Sequence, residues 1–347
     1  MAAEQPLRVD ILGHYGDLAI RGTQPPASTE PHDSLENHMA STGPATPLHV
    51  SAVMCTRNRA HSIAQAVSSV MGNSYPDYTL TIIDQSTTND TELAVAPIAA
   101  ADPRVRYVHT DLAGLSRAYN SGIRATDGEI LVFTDDDCIV AEDWIATIVA
   151  AFESEPDGDL LYGQVIAASS EGDDANLTPT LTIDKPERLG KGEGFRVFGM
   201  GANFAARRRL FDRIGFFDEV LGGGGKLRSS QDFDLEYRAF KGGAVILLRP
   251  EVTLRHDGKR AAQDWPTLLF NYGAGDGAFY FKHVRCRDLY ATGMLLRSLL
   301  TPVVKGSVKK VLRRDGLELC YVKGFIRGMR DSMKFKVDRT NRLYINN

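Results

Sequence analysis

What this 347-residue chain lacks bounds it before any motif is considered. Its four cysteines, Cys55, Cys138, Cys286 and Cys320, are scattered, and no two stand at C-x-x-C spacing. That argues against a zinc knuckle or a disulfide framework and fits a reducing, cytoplasmic setting. No uninterrupted apolar run approaches the roughly 18 residues of a membrane span. The opening MAAEQPLRVD has neither the basic nor the apolar stretch of a secretory signal. A formal net charge of -4 gives no whole-chain case for nucleic acid. Neither G-x-G-x-x-G nor G-x-x-x-x-G-K-[ST] occurs, which removes the dinucleotide fingerprint and the P-loop. No internal repeat is visible.

What is present reads as an arm, an α/β core and a basic tail. Residues 1–47 hold a short amphipathic piece, LRVDILGHYGDLAI, and then a Pro/Ser/Thr-rich stretch too poor in large apolar residues to offset its own ordering. From residue 48 the pattern alternates. HVSAVMC, YTLTIID, VRYVH and EILVFT read as buried strands, separated by amphipathic helices over 60–72, 115–126 and a short one broken near Pro97. A helix over 143–155 and a strand over 159–167 follow. Later come FRVFGMGANFAARRRLFDRIGFFDE, a glycine run Gly222–Gly225, the helix SQDFDLEYRAFKGG and a strand AVILL closed by Arg249-Pro250. Strands alternating with helices predict βαβ crossovers and a mostly parallel twisted α/β sheet, with ligands outside the carboxyl ends of the strands. The expected divisions are 1–47 (arm and linker), 48–260 (core, with halves 48–160 and 161–260) and 261–347 (basic helical region).

The chemistry-bearing residues cluster at those strand ends. Asp135-Asp136-Asp137 follows a buried strand, and three adjacent carboxylates repel one another unless a cation, such as a hard divalent ion, joins them. The plainer reading is a solvated acidic turn. Thr56-Arg57-Asn58-Arg59, after the first strand, offers a hydroxyl and two guanidinium groups to a nucleotide. Asp84 ends the second strand and could accept from a base or ribose, or simply close its own turn. Arg117 lies in the first turn of a helix opened by Gly114, where phosphate oxygens could sit. Asp232, in Ser230-Gln231-Asp232, begins a helix next to the glycine run, either as a helix-dipole partner or as a working carboxylate beside a mobile loop. His256 could ligate a metal, bind phosphate, or be structural.

In their order along Val50–His256, the stretches CTRNR, IIDQST, GLSRAYNSGI, LVFTDDDC, FDE, the glycine loop and QDFDLEYR resemble the family-2 glycosyltransferases of GT-A fold. The resemblance implies a nucleotide diphospho-sugar donor (UDP being the commonest in such enzymes), Mn2+ or Mg2+, and inversion at the anomeric carbon. It implies that Thr56, Arg57, Arg59, Asp84, Arg117, Asp135 and Asp136 serve the nucleotide-sugar, that Asp137 and His256 hold the metal, and that Asp232 is the general base. It leaves the acceptor open: glycan, lipid-linked sugar, peptide or small molecule. The family usually has Glu-Asp where this chain has Gln231-Asp232, and one or two glycines where this chain has four. The rival readings are a sugar nucleotidyltransferase, whose Gly-rich activation loop is missing here, and a binding module with a dead site.

Between Lys282 and Arg342, sixteen Lys and Arg face five Asp and Glu. Leu295-Leu296, Leu299-Leu300, Val303-Val304, Val308 and Val311-Leu312 recur at helical spacing among them. Such a helix can lie on an anionic membrane surface, here through residues 290–314, or pack its apolar face on an acidic core.

Overall fold

The computed structural model describes residues 47–168, 176–190, 192, 194–196, 198–258, 260–311 and 317–345. The arm expected over 1–47 therefore lies outside the described residues, save Pro47. In chain order the elements are β1 (Val50–Thr56), α1 (Ala60–Met71), β2 (Tyr78–Asp84), α2 (Asp90–Ala101), β3 (Val105–His109), α3 (Leu115–Arg124), β4 (Ile130–Asp135) and β5 (Cys138–Val140). There follow α4 (Trp144–Ser154), β6 (Gly158–Ala167), β7 (Asn176–Leu177), β8 (Glu187–Leu189), β9 (Asn203–Arg207), α5 (Arg208–Ile214), α6 (Gln231–Lys241) and β10 (Val245–His256). The chain continues through β11 (Arg260–Ala261), α7 (Trp265–Arg285), α8 (Leu289–Val311), α9 (Leu317–Ser332), β12 (Lys336–Asp338) and β13 (Leu343–Ile345).

The main sheet runs β3-β2-β1-β4-β9-β6-β10-β5, with β8 on the outer side of β10. Strands β1 to β4 are parallel, as are β6 and β10, while β9 runs antiparallel between β4 and β6. Every residue of β1 is buried, because helices cover both faces of the sheet. The period of two then sorts its side chains: Val50, Ala52 and Met54 pack with α1 and α4, whereas Val53 and Cys55 pack with α3 and α5. On the second face Phe133 and Phe204 stack at 4.3 Å, a pair worth roughly 0.5–1.5 kcal/mol beyond its buried area.

Two local expectations are corrected, and one strand had carried no expectation. Helix α2 runs through Pro97 without a break. The carbonyl that a proline leaves without an N–H partner belongs to the residue four earlier, here Leu93, which is exposed. The strand expected to close at Arg249-Pro250 continues to His256. Its pairing with β6 skips from Arg249 to Thr253, so Pro250 falls in a bulge where the ladder requires no N–H. Residues Asn203–Arg207 form a strand inserted against its neighbours, which interrupts the parallel order.

Helices α7 and α9 pack at backbone contact. A Cβ at Gly273, Gly277, Gly324 or Gly328 would lie 2.1, 2.0, 2.0 or 1.8 Å from Tyr321 O, Phe325 O, Phe270 O or Ala274 O, respectively. Two glycines four apart on each helix make a reciprocal slot, so only glycine fits at these four positions. A buried ionic cluster fastens this helix pair to α6. Lys282 Nζ lies 2.6 Å from both Asp218 and Asp234, and Asp234 also accepts from Arg238 at 2.8 Å. His283 Nε2 stands 3.1 Å from Asp234, and burial drives its pKa down to about 4, so the ring is neutral there. Among the described residues, no helix is long and apolar enough to cross a membrane.

Candidate active site

The carboxyl ends of β1 and β4, the end of β10 and the start of α6 enclose a cleft of about 450 Å³. Its lining includes Thr56, Arg57, Arg59, Asp135, Asp136, Asp137, Asp232 and His256. Parallel pairing explains the first group: Cys55 lies beside Asp135, so the turn after β4 faces the turn after β1. Thr56 Oγ1 donates to Asp136 at 2.6 Å, and Arg59 bonds both Asp136, at 3.2 Å, and Asp137. His256 arrives because the last residues of β10 pair with β5, setting it opposite Cys138.

His256 Nε2 is 3.3 Å from Asp137 Oδ1, and its Nδ1 is 3.0 Å from the Pro179 carbonyl. A carbonyl only accepts, so Nδ1 carries a proton; in the imidazolium Nε2 donates to Asp137, and in the neutral ring Nε2 is left with a lone pair for a cation held between the two. A Cβ on Gly258 would meet His256 Nε2 at 2.3 Å and Asp137 Oδ2 at 3.0 Å, so the missing side chain keeps that space clear. One carboxylate oxygen and one imidazole nitrogen suit a Mn2+- or Mg2+-like ion, with further oxygens supplied by a diphosphate. Cys138 Sγ is also near, within 4.8 Å of these donors, but burial raises its thiol pKa well above the usual value and keeps it a poor ligand.

Charge is unevenly held in the acidic turn. Burial, helped by the Asp137 charge, pushes Asp135 up to about 7, and Tyr119 Oη stands 3.4 Å from its Oδ1. Burial also raises Asp136, against the pull of Arg59 and Thr56. At Asp137 burial opposes ionisation, yet His256 and Arg59 overcome it and hold the carboxyl below the usual range. Burial likewise disfavours the His256 imidazolium, but the Asp137 and Asp135 carboxylates outweigh it and raise the pKa. Asp137 is thus the residue of the three whose ionised form its surroundings favour, as suits a hard-cation ligand.

Across the cleft, Asp232 sits over Gly201, whose Cβ would lie 3.3 Å from Asp232 Oδ2. Burial raises its pKa, and the Phe233 N–H, donating at 3.0 Å, opposes that rise. Glu236, one turn along α6, accepts from the Phe198 and Gly199 N–H groups at 3.3 and 3.2 Å and so holds the segment that floors Asp232.

Two of the expected residues stand apart. Asp84 is fully buried and accepts from Tyr107 Oη at 2.6 Å and from the Ser86 N–H at 2.8 Å. It shapes the loop around a neighbouring hollow of about 310 Å³, lined by Ser86, Tyr107, His109 and Arg57, without lining it. Arg117 turns toward Glu219, 3.7 Å away, and does not line the cleft. Conversely Tyr119, Ser229, Ser230 and Tyr272 do line it and carried no assignment from sequence. Tyr119 lay within the motif GLSRAYNSGI, whereas Tyr272, from α7, had no local signal.

The sheet order, with an acidic turn at the carboxyl end of β4, is that of a GT-A fold. Residues 51–215 match the profile of glycosyl transferase family 2. It is 25% identical over 192 residues to the glucosyl-dolichyl phosphate glucuronosyltransferase of Haloferax volcanii, covering 50% of this chain and 58% of the relative. To the pre-mycofactocin glycosyltransferase of Mycobacterium tuberculosis (strain H37Rv) it is 22% identical over 247 residues, 69% of this chain and 50% of the relative. The chain thus spans about half the length of these curated relatives. Among solved structures, a mannosyltransferase from Pyrobaculum calidifontis in complex with GDP-Man and Mn2+ superposes with a TM-score of 0.54 at 15% identity. That match covers 83% of this chain and 88% of the other, and the likeness is one of fold.

Proposed function

We propose that this chain is an inverting glycosyltransferase that moves a sugar from a nucleotide diphospho-sugar, with UDP favoured, to an acceptor hydroxyl. The carrying observation is that one cleft holds an Asp137–His256 pair on one wall and Asp232 on the other. Asp137 and His256 would hold a divalent cation, which when bound supplies positive charge to the departing diphosphate. Thr56, Arg57 and Arg59 lie where the nucleotide and its phosphates would enter, and Asp135 and Asp136 where the ribose and sugar would lie. Asp84 orders the loop beside them, and Arg117 reaches phosphate only if it leaves Glu219. Asp232 takes the proton of the acceptor hydroxyl as its oxygen bonds the anomeric carbon and the bond to the diphosphate breaks. Thermal-shift screening of UDP-, GDP- and dTDP-sugars, with and without manganese or magnesium, tests the reading. The unfolding midpoint should rise with one nucleotide series and only with metal present, since ligands of the native state stabilise it. If none of these sugars moves the midpoint, the donor assignment is wrong.

We also propose that the basic tail, beginning at about residue 261, meets an anionic membrane surface through α8. Its apolar pairs divide: Leu295 is buried, whereas Leu296, Leu300 and Val304 are 51%, 57% and 62% exposed, in line with the exposed Leu289. Cations flank this stripe in sequence, including Arg287, Arg297, Lys309 and Lys310. In sedimentation assays the chain should accompany anionic vesicles at low salt, be released at high salt, and ignore neutral ones. Equal binding to both kinds, or to neither, removes this proposal.

A further inference from the structure

The residue that starts α6 is bound by the C-terminal helices. Ser230 has a left-handed backbone, with φ 69°, and its hydroxyl does not cap its own helix. That hydroxyl donates instead to Asp276 Oδ1 of α7 at 2.6 Å, and Asp276 Oδ2 accepts from Tyr321 Oη of α9 at 2.8 Å. Ser230, Asp276 and Tyr321 are 4%, 5% and 0% exposed, so water does not compete for these bonds. Close packing fixes the same junction. A Cβ at Gly275 would fall 2.0 Å from Ser229 Oγ and 2.5 Å from Ser230 Oγ, so α7 lies directly against the turn. Ser229 adds a bond to the Asn271 carbonyl at 2.9 Å.

We infer that Asp276, braced by Tyr321, is a positioning residue that sets Asp232 for proton abstraction by fixing Ser230, two residues away. A non-glycine residue with positive φ is held by its surroundings, and Ser230 is held by one short buried hydrogen bond from a different part of the chain. If that bond is removed, the first turn of α6 can relax toward an ordinary helix start, carrying the Asp232 carboxyl with it. The metal-side residues lie in the turns after β1 and β4 and at the end of β10, and have no part in this contact. The loss therefore falls on turnover and not on donor binding. Burial pushes the Asp276 carboxyl up to about 7, with the nearby Asp232 charge adding to the rise, so the site accepts a neutral hydrogen-bonding group in place of the carboxylate. The inference rests on Asp232 being the base proposed above.

The test compares the full chain with Ser230→Ala, Asp276→Ala, Asp276→Asn and Tyr321→Phe. Turnover of the donor is read with metal present, water serving as acceptor where no other is known. Ser230→Ala and Asp276→Ala should lower kcat by between about tenfold and 10²-fold, the scale expected of a reacting group displaced by an ångström. Their donor KM should stay at the parent value. Asp276→Asn, which keeps a partner for Ser230, should recover most of kcat, and Tyr321→Phe should fall between. A Ser230→Ala variant with parental kcat overturns the inference, as does a donor KM that rises in step with the fall in kcat. If Asp276→Ala does not fold, Ser230→Ala and Tyr321→Phe, each losing a single hydroxyl, decide the matter. A parent that turns over no donor brings down the proposed function and this role with it. An active parent matched by Ser230→Ala brings down this role alone.

Discussion

Asp232→Asn is expected to lower turnover by about 10²–10⁴, the usual cost of losing a general base, while donor affinity stays unchanged. The substitution is nearly isosteric, and among the described residues Asp232 has no ion-pair partner that the amide would strand. Calorimetry with the metal and nucleotide, beside steady-state rates, separates the two quantities. Because burial raises the Asp232 pKa, the parent should lose activity on acidification earlier than an exposed aspartate would allow. The carboxylate form is the working one, so the loss appears as pH falls through the raised pKa. A variant that loses nucleotide binding would move Asp232 to the donor site. One that keeps full turnover would leave α6 without a catalytic part.

Asp137→Asn is expected to act on binding. It removes the carboxylate that His256 and Arg59 keep ionised, and with it the only charged ligand of the proposed pair. The affinity for UDP plus manganese should weaken at least tenfold, on the order of 1.4 kcal/mol. The affinity for UDP without metal should change little. An unchanged metal-dependent affinity would falsify the assignment of the ion to this pair.

Much of the sheet could be read from residues alone, for a physical reason. Strands β1, β2 and β4 are buried on both faces, so they appear as continuous apolar runs, and the helices between them bury one stripe each. The same logic placed the acidic turn at a strand end. What escaped reading depends on contacts distant in sequence. Asn203–Arg207 has no alternation to mark it, because Phe204, Ala205 and Ala206 are all buried between two neighbours. Pro97 and Pro250 looked like terminators, yet each falls where a missing N–H is harmless. Asp84 closes its own turn through the Ser86 N–H, one of the two readings open from sequence, while its bond from Tyr107, on the next strand, had no local signal. The doubled leucines of α8 suggested one face, whereas adjacent residues on a helix point about 100° apart and serve two environments. Lys282 counted toward the surplus of the basic tail, but its side chain and that of the neighbouring His283 are completely buried.

That last pair bears on how such a chain can be divided. The family match ends at residue 215, and the main sheet ends at His256. The buried cation that answers Asp218 and Asp234 nevertheless sits at Lys282, and Asp218 also receives the Tyr344 N–H, near the end of the described chain, at 2.9 Å. A cut placed at the edge of the sheet would take Lys282 from both carboxylates, leaving Asp234 with Arg238 but Asp218 without its cation, and removing one side of such a buried pair costs about 3–5 kcal/mol. The piece inherited as a module and the piece that folds as a unit therefore have different borders. Helices exchanged between relatives would have to bring their own answer to both carboxylates, so the tail and the sheet domain are constrained to change together.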